Sequence, residues 1–262
     1  MTLEQAPRGC QELAAAEDYF TTVRVRDLWL TQIDLTYSPC YHYSRGTHIN
    51  SSLANDNMTA LNELYQSIRS CHKCEISKAR TNAVPGEGPG KAEIVFIGEA
   101  PGFHEDQQGR PFVGSAGQFL SKLLQSIQLS REQVYITNVI KTRPPENRDP
   151  QPCEISNCRP WLDRQLEIIK PKMIVTLGRC SMGLFMPGKT IGQVHGTAVK
   201  KDGVLYFAMY HPAAALHQGN LRGVIESDML KIPGLLAGLK KENELIEAQK
   251  GREEEAQQLK LL

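Results

Sequence analysis

Four short apolar runs punctuate the middle of the chain: Glu93–Ile97, Val134–Val139, Met173–Leu177 and Val204–Met209. None alternates strongly between apolar and polar positions, which predicts strands buried on both faces of a parallel sheet. Between them apolar residues recur at helical spacing, over Ala116–Ile127, Glu154–Ile169 and a shorter stretch near Cys180–Phe185. Upstream, Leu61, Leu64, Tyr65 and Ile68 mark one face of a helix that runs into Cys71. Strands alternating with helices predict an α/β fold with right-handed crossovers. In such folds ligands bind beyond the carboxyl ends of the strands, so the residues just after each run are where chemistry is expected.

The same pattern divides the chain. Residues 1–57 carry little of it: Val23–Thr31 suits a strand or a short amphipathic segment, and Ser44–Asn57 is polar and loop-like. They read as an uncertain N-terminal arm, disordered or the product of an over-long gene model. The functional domain is expected over residues 58–240. Residues 241–262, rich in Glu, Lys, Gln and Leu, predict a charged helical tail.

Composition narrows the class. The chain has 262 residues, 40% hydrophobic and 23% charged, as in ordinary globular proteins. No stretch reaches the roughly 18 apolar residues of a membrane span, and Met1–Arg8 lacks a signal-peptide pattern. A cytoplasmic protein with no membrane partner is expected. Its seven cysteines suit thiol metal ligands in a reducing compartment better than a disulfide scaffold. The net charge of +1 conceals an uneven distribution: −3 over residues 1–57, +6 over 58–240 and −2 over 241–262. A mildly basic centre permits an anionic partner.

The strand ends carry the candidate chemistry. The first is followed by Gly98, Glu99, Ala100, Pro101, Gly102, Phe103, His104, Glu105 and Asp106, with three carboxylates on a glycine-shaped turn. Backbone N–H groups of Gly98–Gly102 are positioned to meet a ligand closely. No G-x-G-x-x-G follows the strand, so a dinucleotide has no support. Gly109–Gly117 then leads into a helix, with small residues such as Ser115 able to expose N–H groups to a phosphate. Phe112, held between proline and glycine, is placed to stack on a base. Asn138, at the second strand end, offers a donor and an acceptor for a base edge. His211, fixed by Pro212, is placed to donate a hydrogen bond to a developing anion. Cys71 and Cys74 form a C-x2-C pair that needs further ligands, with Cys153 and Cys158 the nearest candidates. Cys10 and Cys40 read as incidental, and Cys180 as buried in a helix.

Together these residues resemble the family 4 uracil-DNA glycosylases, the iron–sulfur bacterial and archaeal type. The resemblance covers about residues 58–235. It rests on C-x2-C (Cys71, Cys74), VPGEGP, GEAPGFHEDQQGRPFVG, TNVIK-x-RPPENRDP, CRPWL and YHPAAAL in that order. It implies a three-layer αβα sandwich around a four-stranded parallel sheet. The implied enzyme is a monomeric, monofunctional glycosylase that excises uracil from single- or double-stranded DNA and leaves an abasic site for base excision repair. Phe112 would stack on uracil, with Gly98 and Ala100 beside it, and Asn138 would read its polar edge. His211 would stabilise the uracil anion. Glu99 would stabilise the oxocarbenium ion or position water, with Glu105 a second candidate for that task. Leu216 would wedge into the vacated stack, and Ser115 and Arg222 would contact DNA. Lys141, Arg143 and Arg148 are further basic residues expected near the DNA.

One departure stands out. The family usually has K-C-R-P-P, its cysteine ligating a 4Fe-4S cluster, and here that position is Thr142. Cys158 lies 16 residues later and matches the fourth ligand; Cys153 lies 11 residues later. Positions five apart on a helix are rotated by about 140°, so Cys153 and Cys158 would not share a face. A labile cluster open at one iron is therefore expected, with Cys71, Cys74 and Cys158 converging. Arg143–Pro152 holds no His, unlike the DNA-crosslinking relatives. Two other functions compete: a non-catalytic nucleic-acid-binding module on the same fold, such as a polymerase accessory subunit, and a small-molecule nucleosidase. The intact Glu99, Phe112, Asn138 and His211 set favours the glycosylase over the first, and the basic balance of residues 58–240 disfavours the second.

Overall fold

A computed structural model describes residues 53–259. The reading of Val23–Thr31, and Cys10 and Cys40, lie outside the described residues. Helix α1 spans Leu53–Arg69, so the Met58 boundary falls inside a helix. Asn57, one residue before it, already ties that helix to the body, its side-chain amide donating to the carbonyls of Gly90 (3.0 Å) and Ile168 (3.1 Å).

The four predicted strands form: β1 (Ile94–Gly98), β2 (Tyr135–Asn138), β3 (Met173–Leu177) and, following an unpredicted β4 (Ala198–Lys201) in the chain, β5 (Val204–Met209). The order across the sheet is β2-β1-β3-β5-β4. The first four run parallel, and β4 adds an antiparallel edge. The four-stranded expectation is thus corrected to five. Strand β4 reads Ala-Val-Lys-Lys and is mostly exposed, so no apolar run announced it. Its signal was the turn: Asp202 and Gly203 both have positive φ (51° and 79°) and join Lys201 to Val204. An Asp-Gly pair between strands is the chemistry of a two-residue hairpin, and lysines blunt the free edge.

Successive β1 residues face opposite cores, as a period of two requires. Ile94 and Phe96 pack with Phe119, Leu120, Leu123 and Leu124 of α3 (Ser115–Ser126). Val95 and Ile97 pack with α1 and with Leu162 and Ile169 of α4 (Pro152–Ile169). The result is the expected αβα sandwich. Phe96 and Leu120 are fully buried, each contributing about 1.5–3 kcal/mol by leaving water. Helix α4 starts where Pro152 occupies its first turn and Glu154 accepts from the Gln151 N–H at 2.8 Å. That is the reciprocal half of a capping box. The shorter helices α2 (Phe103–Gln108), α5 (Arg179–Phe185), α6 (Ile191–Val194), α7 (Ala214–His217) and α8 (Leu221–Met229) flank the sheet ends. Helix α9 (Ile232–Leu259) carries the predicted charged tail.

Candidate active site at the strand ends

Strands β1 and β2 pair so that Gly98 sits opposite Asn138, and β5 delivers His211 two residues past its end. These ends open into a pocket of about 420 Å³ lined by Glu99, Ala100, Gly102, Glu105, Phe112, Asn138, Asn147, Arg148, His211 and His217, among others. The structure therefore gathers Glu99, Ala100, Glu105, Phe112, Asn138 and His211 as the sequence suggested. Gly98 stands directly behind them. A Cβ there would lie 2.4 Å from Asn138 Oδ1 and 2.6 Å from Phe112 Cζ, so only glycine lets both side chains close over the strand end.

Phe112 holds φ of +53°, the left-handed region that a bulky residue enters only when its surroundings impose it. Three constraints do so. Arg131 donates to the Phe112 carbonyl at 2.9 Å and to the Pro111 carbonyl at 2.7 Å, while pairing with Glu87. Gly117 leaves room for the Phe112 carbonyl, which a Cβ at that position would strike at 1.8 Å. Glu105 accepts from the N–H groups of Val113 and Gly114, each at 2.8 Å. The Phe112 ring then stacks on His211, centroids 5.5 Å apart and planes 28° from parallel.

The three carboxylates after β1 take different roles. Asp106 is buried and accepts from the N–H groups of Thr81 and Asn82, pinning an adjacent loop. Glu105 binds three backbone N–H groups, the third being Gly102 at 3.1 Å, so that amide is not available to a ligand. Glu99 lies between the pocket and a second cavity of about 580 Å³ that Asp149 and Arg179 also line. Burial first, then the Asp149 charge, pushes its carboxyl up; the Arg179 guanidinium opposes them. Arg179 is itself ion-paired to Asp149.

Asn138 is 1% exposed, and its Oδ1 has no hydrogen-bond partner among the described residues. A buried acceptor left open in a pocket costs roughly 1–3 kcal/mol unless something fills it. Burial pulls the His211 ring down to about 4, with Glu105 opposing, so the imidazole is neutral at neutral pH. Its Nδ1 accepts the Ala213 N–H at 3.1 Å. The ring proton is thereby assigned to Nε2, which makes that nitrogen a donor.

Ser115 is exposed at the first turn of α3, and Leu216, 52% exposed, lies on α7 beside the pocket-lining His217. Arg222 stands over the Phe119 ring at 5.0 Å and pairs with Glu226. Lys141 corrects the sequence reading: it is buried, not a surface cation. Its Nζ donates at 2.7 Å to Thr137 Oγ1, to the Asn138 carbonyl and to Gln165 Oε1. Burial pulls its ammonium down to about 7. Lys141 therefore holds the β2 end from behind and does not reach DNA. An apolar neighbourhood (Val139, Ile140) was the only sequence hint. Asn147, missed by the sequence reading, also lines the pocket, and the φ of +55° that places it was invisible in composition.

The cysteine corner does not fit a four-thiolate cluster. Cys158 and Cys71 lie close enough to push the Cys74 thiol up, after burial, to about 11. Yet among the described residues no group of three metal-ligating side chains is assembled. Thr142 is buried, and its hydroxyl already accepts from Arg80 Nη1 at 3.1 Å. Arg80 Nη2 donates in turn to the Arg69 carbonyl at 2.7 Å, so a guanidinium bridges the fourth side. Cys153 lies at the first turn of α4, five residues before Cys158, and is engaged elsewhere.

Comparisons with known proteins give the family. The family model of the Uracil DNA glycosylase superfamily matches residues 85–228. The chain is 50% identical over 192 residues to the type-4 uracil-DNA glycosylase of Archaeoglobus fulgidus, covering 70% of this chain and 96% of that one. To the type-4 enzyme of Sulfurisphaera tokodaii it is 49% identical over 185 residues, covering 67% and 84%. To that of Saccharolobus solfataricus it is 48% identical over 190 residues, covering 69% and 88%.

Proposed function

The chain belongs to the uracil DNA glycosylase superfamily, in its type-4 branch, and on that premise we propose that it hydrolyses the N-glycosidic bond of uracil in DNA. The product is an abasic site. The observation that carries the reading is the open, buried Oδ1 of Asn138 beside the Phe112–His211 stack. Uracil flipped from the helix would slide its face onto Phe112, at an unstacking cost of a few kcal/mol. Its N3–H donor supplies what Oδ1 lacks, and the Asn138 amide donates to O4. Cytosine presents an acceptor at N3 and a donor at C4, which inverts both contacts.

As the C1′–N1 bond breaks, negative charge grows on the uracil O2 and positive charge on the sugar. The neutral His211 offers its Nε2–H to that oxygen. Such a preorganised donor strengthens as charge develops, so it acts on the transition state. Glu99, as a carboxylate, faces the cationic sugar, orients the water whose oxygen bonds to C1′ and takes the proton that water gives up, while the C1′–N1 electron pair leaves with the uracil anion. Glu105 is a positioning residue that locks the Phe112 loop. A mildly basic centre suits the DNA backbone, and one copy of the chain supplies every pocket residue named above. A cytoplasmic monomer is part of the same proposal. Among the described residues no helix is long and apolar enough to cross a membrane.

The test is incubation of the purified protein with a single-stranded oligonucleotide bearing one uracil, followed by alkaline cleavage at abasic sites. Product from uracil, and none from cytosine or thymine controls, is expected. Binding without product would return the chain to a non-catalytic module.

A further inference from the structure

The pocket has an edge that the excision chemistry does not use. Phe103, the first residue of α2, is 52% exposed although it directly follows the pocket-lining Gly102. The guanidinium of Arg143 stands over its ring at 5.2 Å, and His104 packs against it edge-on, ring centroids 5.5 Å apart. Arg143 is also tied to the pocket, its Nε donating at 2.7 Å to Asn147 Oδ1. A single exposed phenylalanine is unremarkable on a protein surface. This one differs in being clamped beside a ligand pocket under a cation.

The cation differs from its neighbours as well. Arg148 pairs with Glu154, Arg179 with Asp149 and Arg222 with Glu226. Arg143 has no carboxylate partner among the described residues, its contacts being an amide oxygen and an aromatic face. Its positive charge is therefore not locally neutralised. An aromatic face beside an unneutralised guanidinium matches the two halves of a nucleotide, a base to stack and a phosphate to pair.

We propose that Phe103 and Arg143 form a subsite for the nucleotide next to the target in the same strand. The base stacks on the open face of Phe103 and the phosphate pairs with Arg143. This rests on the glycosylase reading for what enters the adjacent pocket. The subsite grips a strand by a base that is already unstacked, so it favours single-stranded over paired DNA. It supplies binding and touches no reacting atom.

The experiment uses Phe103→Ala and single-turnover and steady-state excision from a single-stranded oligonucleotide with one uracil. A second substrate replaces both nucleotides flanking the uracil by abasic spacers, keeping the phosphates. On the ordinary strand KM should rise ~5- to 150-fold, the range for losing one base–aromatic stack, with kcat unchanged. On the spacer strand the variant and the parent should coincide. Phe103→Leu, which keeps the apolar bulk, should behave like the alanine variant, and Phe103→Trp should restore KM. Arg143→Gln should lower the slope of log affinity against log salt by about 0.7, the share of one single-strand phosphate. An unchanged KM in Phe103→Ala, or a rise of equal size on the spacer strand, overturns the subsite. Anisotropy with a uracil-free single strand separates the two readings. There Phe103→Ala loosens binding whether or not excision occurs, and intact binding overturns the subsite alone.

Discussion

The strand-end pocket and the cysteine corner stand four residues apart in the chain, Asn138 at the end of β2 facing the first and Thr142 the second. They treat their polar atoms in opposite ways. The pocket leaves Asn138 Oδ1 open and keeps His211 neutral with one donor to spare. The corner satisfies Thr142 through Arg80, which spans to the end of α1. Between them Lys141 spends three hydrogen bonds at Nζ behind the end of β2, while its backbone N–H reaches Cys158 Sγ at 3.4 Å. The open Asn138 Oδ1 marks where a ligand is expected; the Thr142 hydroxyl has found its partner within the chain.

The strongest way to break this contrast is at His211. His211→Ala removes a donor that acts on the developing anion, so the single-turnover excision rate should fall ~10²- to 10³-fold. Affinity for uracil-containing DNA should change little, because the ground state carries little of that charge. An unchanged rate would strip His211 of its role and leave the pocket a binding site. Gly98→Ala comes next. Its Cβ would strike both Asn138 and Phe112, an overpacking cost of about 1–3 kcal/mol. Discrimination against cytosine should weaken along with the rate. Full activity would mean that the strand end yields, and that the pocket is less preorganised than its contacts indicate.

The four parallel strands were legible because each reads as a short, mostly apolar run, buried throughout in β1, β2 and β3 and over the second half of β5. The antiparallel β4 was not, since its lysines look like loop, and only the Asp202-Gly203 turn betrayed it. Asn138 and His211 were legible as candidates because strand-end positions in a parallel sheet are predictable places for chemistry, and Phe112 because a loop between proline and glycine is a poor place for a core residue. What separated Glu99 from Glu105 was not legible. Both are glutamates on one turn, and only the backbone N–H groups that surround Glu105 distinguish them. Lys141 misled for a related reason: charge alone reads as surface, and the acceptors that let it be buried come together only when the chain curls back on the end of β2, presenting Thr137 and Asn138, beside Gln165 of α4.

Acidity sharpens the contrast further. The folded His211 titrates at about 4, the unfolded ring near ~6.5. Between those values the unfolded chain binds more protons. The stability this ring contributes is therefore fully present above ~6.5 and is lost as pH falls through the folded value. His211→Gln should flatten the acid side of a melting-temperature profile over that window. Excision should show a different limb. Burial raises Glu99 above the ordinary carboxylate range, so activity should fall on protonation of that carboxylate while His211 is still neutral. Glu99→Gln should abolish the limb along with most activity. A limb that persists in residual Glu99→Gln turnover would place the titrating group elsewhere.

The smallest expected effect tests the corner. Thr142→Cys restores a fourth thiol but removes the hydroxyl that accepts from Arg80. A lost hydrogen bond to a charged group costs about 1.5–3 kcal/mol, and each kcal/mol shifts melting by roughly 2–4 °C in a domain of this size. In metal-free buffer the variant should therefore melt several degrees below the parent. Thiolate is a far better ligand than hydroxyl for a soft iron–sulfur centre. After anaerobic reconstitution with iron and sulfide, Thr142→Cys should hold more iron than the parent and melt above it, so the sign of the shift reverses with metal. Arg80→Ala gives the matching control, lowering the melting point with or without iron because it cuts the bridge to the Arg69 carbonyl. If the parent already binds a full complement of iron and melts far lower once it is chelated, the guanidinium is not closing the fourth side. The corner would then belong with the pocket, as a site awaiting its ligand.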